Sequence, residues 1–292
     1  MSGWTIGVIG GSGLYALDGL SDVEELSVET PWGAPSDTLV KGTLNGVEFV
    51  FLPRHGRGHR LTPTSVPYRA NIDALKRAGC SDIISFSACG SLQEAYRPGD
   101  FVRVDQFIDR TFAREKSFFG PGMVAHVSMA DPVCDRLSRL AGQAAEAVGV
   151  TVHEKGTYLT MEGPQFSSRA ESHLYRSWNC DVIGMTNMPE AKLAREAELP
   201  YATLAMVTDY DCWRPEEEAV TVSNVLEVMA SNTTRAKQAI LKLSETLAVT
   251  PRTPSPQGIE TCLDYALITS PEARDSALLQ KLDAVAGRVL SS

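Results

Sequence analysis

Short runs of apolar residues, rich in Val, Ile and Phe, alternate with more polar stretches along the chain. Each run ends at Gly, Pro, Ser or Asp, which is typical of buried strands. The runs predict strands at 4–10, 47–53, 82–88, 100–108, 156–162, 181–185 and 201–208. The hairpin-like residues from 23 to 53 indicate a sheet that is not purely parallel.

Helical patterns lie between several of these strands, and the clearest one covers residues 131–148. Asp131 can cap this helix, Pro132 suits its first turn, and Gly149 can end it. Its apolar positions share one helical face: Val133, Leu137, Leu140, Ala144 and Val148. Strands that alternate with helices predict an α/β fold, whose strand ends carry loops that can form a site.

A second long helical pattern, at about 222–248, precedes a Pro-rich stretch at 250–256. We find no internal repeat, and no segment after this stretch is large enough for a second core. We therefore expect a single domain over residues 1–292, with the Pro-rich stretch as a connection to a C-terminal segment.

The composition excludes several classes of protein. The formal net charge is −9 and the basic residues are scattered, so the chain lacks the electrostatic footprint of a nucleic-acid-binding protein. The six cysteines form no Cys-x-x-Cys pair that would indicate zinc or a disulfide framework. No basic leader and no apolar run of membrane-spanning length is present, so we expect a cytoplasmic protein with no membrane partner.

A glycine-rich loop follows the first predicted strand. Gly10-Gly11-Ser12-Gly13 can fold its backbone closely around an anion, and phosphate is the natural candidate. The same loop loosely matches the dinucleotide fingerprint, which would imply a nicotinamide or flavin cofactor. That fingerprint requires a helix directly after the loop, and residues 17–22 are too rich in Gly and small polar residues for one. A tight turn with a purely structural role is the third interpretation.

Two further strand ends carry groups that bind anions. Residues 53–59 read Pro-Arg-His-Gly-Arg-Gly-His, where Arg54 offers a planar donor fork and His55 another donor. A metal site at His55 and His59 would need a helix, which the intervening glycines oppose. A solvated basic loop remains an alternative. Residues 85–91, Ser-Phe-Ser-Ala-Cys-Gly-Ser, add hydroxyls and backbone amides at a third strand end.

Six motifs occur in a characteristic order: Gly-Gly-Ser-Gly-Leu, Arg-His-Gly-Arg-Gly-His, Ala-Cys-Gly-Ser-Leu, Glu-Gly-Pro-Gln-Phe-Ser-Ser-Arg-Ala-Glu, Gly-Met-Thr-Asn-Met-Pro-Glu and Thr-Asp-Tyr-Asp-Cys-Trp. From about residue 5 to about residue 268 the chain resembles the trimeric branch of the purine nucleoside phosphorylase family, in particular the members that cleave 5′-deoxy-5′-methylthioadenosine. The resemblance implies one α/β domain around a mixed, barrel-like sheet flanked by helices. It also implies a homotrimer, no metal and no organic cofactor, with inorganic phosphate as co-substrate.

The resemblance assigns roles to individual residues. It implies that phosphate is held by Ser12, Arg54, His55, Ser87, the Ala88 amide and Thr186. Met185 is expected beneath the ribose and Phe166 near the sugar and the base. His126 is expected near the 5′ group of a neighbouring subunit's substrate. The pocket for the methylthio group is assigned to Val222, Val225 and Ile268.

Asp209 and Asp211 are the expected partners of the purine. A 6-amino purine presents an amino donor beside an acceptor ring nitrogen, so a carboxylate together with a carboxylic acid complements it. We expect Asp209 to be the general acid and Asp211 to accept from the amino group, on one face of a regular strand. A pair of solvated loop acids is the alternative. Relatives that act on inosine and guanosine carry Asn where this chain has Asp209, and Glu where it has Ser167.

The predicted reaction is the reversible phosphorolysis of methylthioadenosine to adenine and 5-methylthioribose 1-phosphate. Gln165, Gly184 and Asn187 depart from the family pattern of the animal enzymes, so a phosphorylase for 6-oxo nucleosides such as methylthioinosine or inosine is the alternative. A nucleosidase that uses water, or a nucleoside-binding protein without turnover, are alternatives from other classes.

Overall fold

In the computed structural model, the described residues are 3–11, 13–14, 17–214 and 222–290, without the side chains of 222–225. Every predicted strand is present, and the predicted strand at 100–108 is divided into two. The strands are β1 Thr5–Gly10, β2 Ser21–Leu26, β3 Leu39–Leu44, β4 Val47–Pro53, β5 Asp82–Ser91, β6 Phe101–Arg103, β7 Gln106–Asp109, β8 Val152–His153, β9 Thr157–Thr160, β10 Val182–Gly184 and β11 Tyr201–Asp209.

The helices of the described residues surround this sheet. They are α1 Tyr68–Arg77, α2 Asp135–Ala147, α3 Arg169–Ser177, α4 Asn187–Glu196, α5 Val222–Val249, α6 Ser276–Lys281 and α7 Asp283–Leu290. The predicted long helix before the Pro-rich stretch corresponds to α5. No helix in the described ranges is both long and apolar enough to cross a membrane.

The predicted start of α2 is wrong by four residues. The helix begins at Asp135, and Cys134 at its N-cap has extended backbone angles. The Cys134 amide donates to the Tyr201 carbonyl of β11 at 2.8 Å, and Arg195 donates to the Asp131 carbonyl. A cap at Asp131 would hold the Cys134 amide with its side chain and accept the first helical bond at its carbonyl, and here both backbone groups have tertiary partners. Asp131 is therefore not the cap, although the helix ends before Gly149 as predicted.

Strand β5 is the centre of the sheet. Its first half pairs in parallel with β1, its last residues pair with the antiparallel β10, and β11 runs parallel along its other edge. The antiparallel strands β2, β3 and β4 extend the sheet beyond β1, as the hairpin pattern predicts. The described strand pairs do not close into a ring. The prediction of an α/β fold with a mixed sheet is confirmed.

Helices cover both faces of the sheet, since its central strands are apolar on both sides. On one face α2 and α5 bury Leu137 and Ile240 against β1, β4 and β11. On the other face α1, α4 and α7 bury Ile72, Leu193 and Val285. The segment after the Pro-rich stretch thus completes the second layer.

Candidate active site

Four of the predicted anion-binding residues, termed the anion cluster, meet at the carboxyl ends of the central strands: Arg54, Ser87, Ala88 and Thr186. Arg54 directly follows β4, Ser87 and Ala88 lie in the second half of β5, and Thr186 follows β10. Because β1, β4, β5 and β11 are parallel, their ends come to one edge of the sheet. Asp209, at the end of β11, is paired with Gly90 of β5, so it lies just beyond this cluster.

Arg54 is a buried cation with most of its donors already in use. Its Nε and Nη2 donate to the two carboxylate oxygens of Glu190 at 2.7 and 3.0 Å. Nη2 also donates to Ser85 Oγ at 2.6 Å, and Nη1 donates to the Phe86 carbonyl at 3.2 Å. Four of the five N–H groups of the guanidinium are therefore engaged among the described residues, and the second Nη1 hydrogen remains for an anion.

Glu190 keeps Arg54 charged in spite of its burial. The carboxylate outweighs the loss of hydration and raises the pKa of Arg54 above its usual value. Tyr201 donates to the same carboxylate at 2.8 Å, and Asn187 donates to Tyr201 Oη at 2.6 Å and to Ser85 Oγ at 3.2 Å. Asn187, one of the departures from the family pattern, thus bonds to the two hydroxyl groups that contact the Arg54–Glu190 pair. The sequence did not reveal the roles of Glu190 and Tyr201, because no local pattern marks a buried ion pair.

His55 is held as a neutral ring. Burial and the Arg54 charge lower its pKa to about 4. Its Nδ1 lies 2.9 Å from the Leu61 carbonyl, which can only accept, so Nδ1 carries the hydrogen and Nε2 is an acceptor. The expectation of a second donor beside Arg54 changes accordingly: near neutral pH, Nε2 can accept from a protonated phosphate oxygen.

The segment from His55 to His59 is a turn. Gly56 and Gly58 have φ of 72° and 78°, and the two imidazole rings stack with their centroids 4.2 Å apart. The helix that a His-x-x-x-His metal site requires is therefore absent at this place. Among the described residues, no group of three or more His, Cys, Asp or Glu side chains has an arrangement that could hold a metal ion.

The glycine-rich loop begins against Arg54, whose amide donates to the Gly10 carbonyl at 2.9 Å. Ser12 lies outside the described residues. After the loop, residues 17–20 form no helix and β2 begins at Ser21. The dinucleotide interpretation of this loop therefore lacks the helix that it requires.

Ser87 and Thr186 form the hydroxyl part of the cluster. Both are buried, and their hydroxyl oxygens lie 3.3 Å apart. Ser87 Oγ is also 3.1 Å from the hydroxyl of Tyr158, a residue that the sequence did not indicate.

Asp209 and Asp211 come together by a turn. The ladder between β11 and β5 is irregular at Val207–Asp209, the strand ends at Asp209, and Asp211 has a left-handed φ of 53°. The expectation that a regular strand places both carboxylates on one face is therefore wrong in its geometry. The Asp211 amide donates to Asp209 Oδ1 at 2.8 Å and Thr208 Oγ1 donates to Asp209 Oδ2 at 2.6 Å. A Cβ at Gly90 would lie 3.0 Å from Asp209 Oδ1, so a glycine permits this approach.

The two aspartates have different environments. Burial raises the pKa of Asp211, and the charge of Asp209 raises it further. Asp211 Oδ2 is buried without a hydrogen-bond partner among the described residues. Asp209 accepts the two bonds given above, from the Asp211 amide and from Thr208 Oγ1. A raised pKa is therefore indicated at Asp211, and the assignment of the general acid to Asp209 stays a prediction.

Of the residues predicted to contact the base and the sugar, Ser167 is bonded to this turn. Cys212 donates to the Ser167 carbonyl at 3.2 Å, which connects Ser167 to the aspartate turn. The side chain of Met185 packs over Gly163, where a Cβ would lie 2.5 Å from its sulfur. Phe166 is 53% exposed.

Arg114 joins the two backbone segments on which these residues lie. Its side chain is fully buried and donates to the Glu162 carboxylate at 3.0 Å. It also donates to the carbonyls of Met185, Met188 and Glu162 at 2.6, 2.7 and 2.7 Å. The sequence did not indicate this residue, since its partners are mostly backbone carbonyls that are distant along the chain.

His126 and Ile268 lie together at a separate place. The His126 amide donates to the Ala266 carbonyl, and the Ile268 amide donates to the Val124 carbonyl, both at 2.9 Å. His126 is exposed, and Ile268 is 63% exposed. Their hydrogen bonds within the described residues do not link them to the cluster around Ser87. The side chains of Val222 and Val225 lie outside the described residues.

The fold and this edge of the sheet define a nucleoside phosphorylase-like α/β protein, with an anion cluster beside a carboxyl pair. The model of the phosphorylase superfamily matches residues 5–245, and the chain belongs to this family.

Curated relatives are similar over nearly the full chain. An S-methyl-5′-thioadenosine phosphorylase from Cereibacter sphaeroides is 62% identical, and one from Bradyrhizobium diazoefficiens is 58% identical, each over 98% of both chains. Among solved structures, a methylthioadenosine phosphorylase from an antarctic soil metagenomic library has a TM-score of 0.91 and 49% identity, covering 98% of this chain and 99% of its own. The methylthioadenosine phosphorylase from Schistosoma mansoni in complex with adenine has a TM-score of 0.83 and 39% identity, covering 90% and 98%.

Proposed function

We propose that the protein catalyses the reversible phosphorolysis of 5′-deoxy-5′-methylthioadenosine to adenine and 5-methylthioribose 1-phosphate. The observation that carries this proposal is that the buried anion cluster and the coupled pair of aspartates lie beside neighbouring residues of β5. Ser87 and Ala88 belong to the cluster, and Gly90 contacts Asp209. The relatives described above are named as phosphorylases of methylthioadenosine, and this similarity supports the proposal.

The chemistry of the two groups fits one reaction. A phosphate held by the loop at Ser12 and by Arg54, His55, Ser87, the Ala88 amide and Thr186 would attack the anomeric carbon as the purine leaves. Its negative charge would stabilise the cationic sugar of the transition state. Met185 and Phe166 would position the ribose and the base. Catalysis then rests on positioning and electrostatics, without a covalent intermediate.

The aspartate pair would neutralise the leaving base. A 6-amino purine requires one donor for its ring nitrogen and one acceptor for its amino group, and a coupled pair that shares one proton supplies both. Burial and the charge of Asp209 raise the pKa of Asp211, which supports a pair that shares one proton. Substrate binding sets which oxygen donates, so the pair acts as a unit and Asp209 retains its proposed role as the group nearest the ring nitrogen.

The assembly is part of the proposal. A homotrimer in the cytoplasm would place His126 of one subunit near the 5′ group of its neighbour's substrate. Val222, Val225 and Ile268 would supply the apolar pocket for the methylthio group. The exposure of His126 and Ile268 in the single chain is consistent with a role at a subunit contact. Sedimentation equilibrium tests the trimer.

A substrate panel tests the proposed reaction. Initial rates are measured for methylthioadenosine, methylthioinosine, inosine and adenosine, each with and without inorganic phosphate. We expect turnover of methylthioadenosine that requires phosphate. A strong preference for the 6-oxo nucleosides would favour the alternative phosphorylase. Rates independent of phosphate would indicate a nucleosidase, and tight binding without turnover would indicate a nucleoside-binding protein.

A further inference from the structure

Tyr158 places a buried hydroxyl behind the anion cluster. The residue lies in β9, fully buried, and its side chain reaches past the neighbouring strand β10 to Ser87 Oγ, 3.1 Å away on β5. A Cβ at Gly184 would lie 1.7 Å from Tyr158 Oη and 2.6 Å from Cζ. The hydroxyl therefore occupies space that only a glycine at position 184 leaves free.

The direction of this hydrogen bond follows from the chemistry of its two groups. Burial raises the pKa of Tyr158 above its usual value, so the phenol keeps its hydrogen at any working pH. Among the described residues, the polar contact of this hydroxyl is Ser87 Oγ. A buried phenol that donates to Ser87 satisfies its hydrogen, whereas the reverse arrangement would leave that hydrogen unpaired.

The same bond decides what Ser87 can do. Once Ser87 Oγ accepts from Tyr158, its own hydrogen must point elsewhere. Its other protein neighbours are distant for a hydroxyl, with Thr186 Oγ1 at 3.3 Å and the Ala88 carbonyl at 3.4 Å. An anion bound at the cluster accepts hydrogen bonds, and is the better partner for this hydrogen.

We propose that Tyr158 is a positioning residue for phosphate, acting through Ser87, and that Gly184 is present to admit its hydroxyl. This inference rests on the proposed function, because it assigns the orienting group of the phosphate site. It also gives a physical reason for one departure from the family pattern: the tyrosine at position 158 requires a glycine at position 184. Tyr158 itself does not touch the substrate.

Tyr158→Phe tests the proposal by removing one oxygen atom. We expect the KM for phosphate to rise about tenfold, the effect of one misdirected hydrogen bond to an anion. The KM for the nucleoside, and kcat at saturating phosphate, should stay within about twofold. Tyr96→Phe is the matched control, since its hydroxyl donates to the Lys155 carbonyl at 3.0 Å, away from the cluster. An unchanged KM for phosphate in Tyr158→Phe would overturn the proposal.

Thermal unfolding separates positioning from a merely structural role. Phosphate should raise the Tm of the wild type, and raise it less in Tyr158→Phe, whereas the two Tm values without phosphate should agree closely. A lowered Tm without phosphate, together with an undiminished phosphate shift, would mean that the hydroxyl is structural and would overturn the inference. Gly184→Ala should weaken the phosphate shift at least as much, because its Cβ displaces the hydroxyl.

The Tm shift does not depend on turnover, so the two proposals fail separately. One outcome is that the wild type cleaves nucleosides without phosphate, while phosphate still raises the Tm of the wild type more than that of Tyr158→Phe. In that case the proposed reaction is wrong and the inference stands. If phosphate fails to raise the wild-type Tm, the inference falls as well.

Discussion

Replacing Arg114 with methionine would remove the guanidinium that joins the two backbone segments of the proposed nucleoside site. Methionine keeps most of the aliphatic volume, so the change is one of charge and hydrogen bonding. The guanidinium makes six donor contacts among the described residues, including the Glu162 carboxylate and the carbonyls of Met185 and Met188. All of these acceptors would lose a partner at once.

The size of the effect follows from burial. The Arg114 side chain is 0% exposed and that of Glu162 is 9% exposed, so water cannot easily replace the lost bonds. Removing one member of a buried ion pair typically costs about 3–5 kcal/mol. We expect the free energy of unfolding to fall by about that amount, out of the roughly 5–15 kcal/mol of a typical protein. The KM for the nucleoside should also rise, since the Met185 segment would lose its anchor.

Urea denaturation at one fixed protein concentration measures the loss. Arg139→Met is the control, because its ion pair with Asp135 is exposed on both sides, at 58% and 49%, and should contribute less than about 0.5 kcal/mol. The double variant Arg114→Met/Glu162→Gln should lose less than the sum of the two single variants, since each single change leaves the other member of the pair without its partner and the double change leaves neither. A loss below about 1 kcal/mol in Arg114→Met would refute this account of how Arg114 stabilises the protein.

Three further predictions follow from the site and its surroundings. Asp209→Asn and Asp211→Asn should each lower kcat/KM for methylthioadenosine by about 10²-fold or more with unchanged circular dichroism, and full activity in either would contradict the shared-proton pair. Arg54→Lys should raise the KM for phosphate more than about tenfold, because an ammonium cannot keep both bonds to Glu190; an unchanged KM would remove Arg54 from the site. Burial raises the pKa of Glu196 to about 7 from its usual 4.5, so the protonated form is favoured in the folded state. Stability from this group is present below about pH 4.5 and falls as pH rises through 7, by up to about 3 kcal/mol. Urea titrations near pH 5 and pH 8 should show a smaller difference in Glu196→Gln than in the wild type, and equal differences would refute the assignment.

The local pattern of the chain determined the elements. Apolar runs of strand length predicted β1, β4, β5, β9, β10 and β11 to within a few residues, because a strand buried on both faces needs continuous apolar sequence. The start of α2 was wrong by four residues, since the Cys134 amide bonds to the Tyr201 carbonyl in a distant strand. A boundary that depends on a tertiary hydrogen bond has no local signal.

The candidate site also has features that the sequence predicts and features that depend on tertiary contacts. The residue types and ordered motifs of the chain were sufficient to indicate an anion site and a pair of aspartates for an amino purine. The structure alone decided which groups support them. These are the Glu190 carboxylate bonded to Arg54, the Arg114 guanidinium bonded to the Met185 carbonyl, and the Tyr158 hydroxyl in the space beside Gly184. Each of these joins segments far apart in sequence, and a buried polar group is recognisable only once its partner is in place. The sequence thus determined which groups can react, and the tertiary structure determined which buried partners hold them in place.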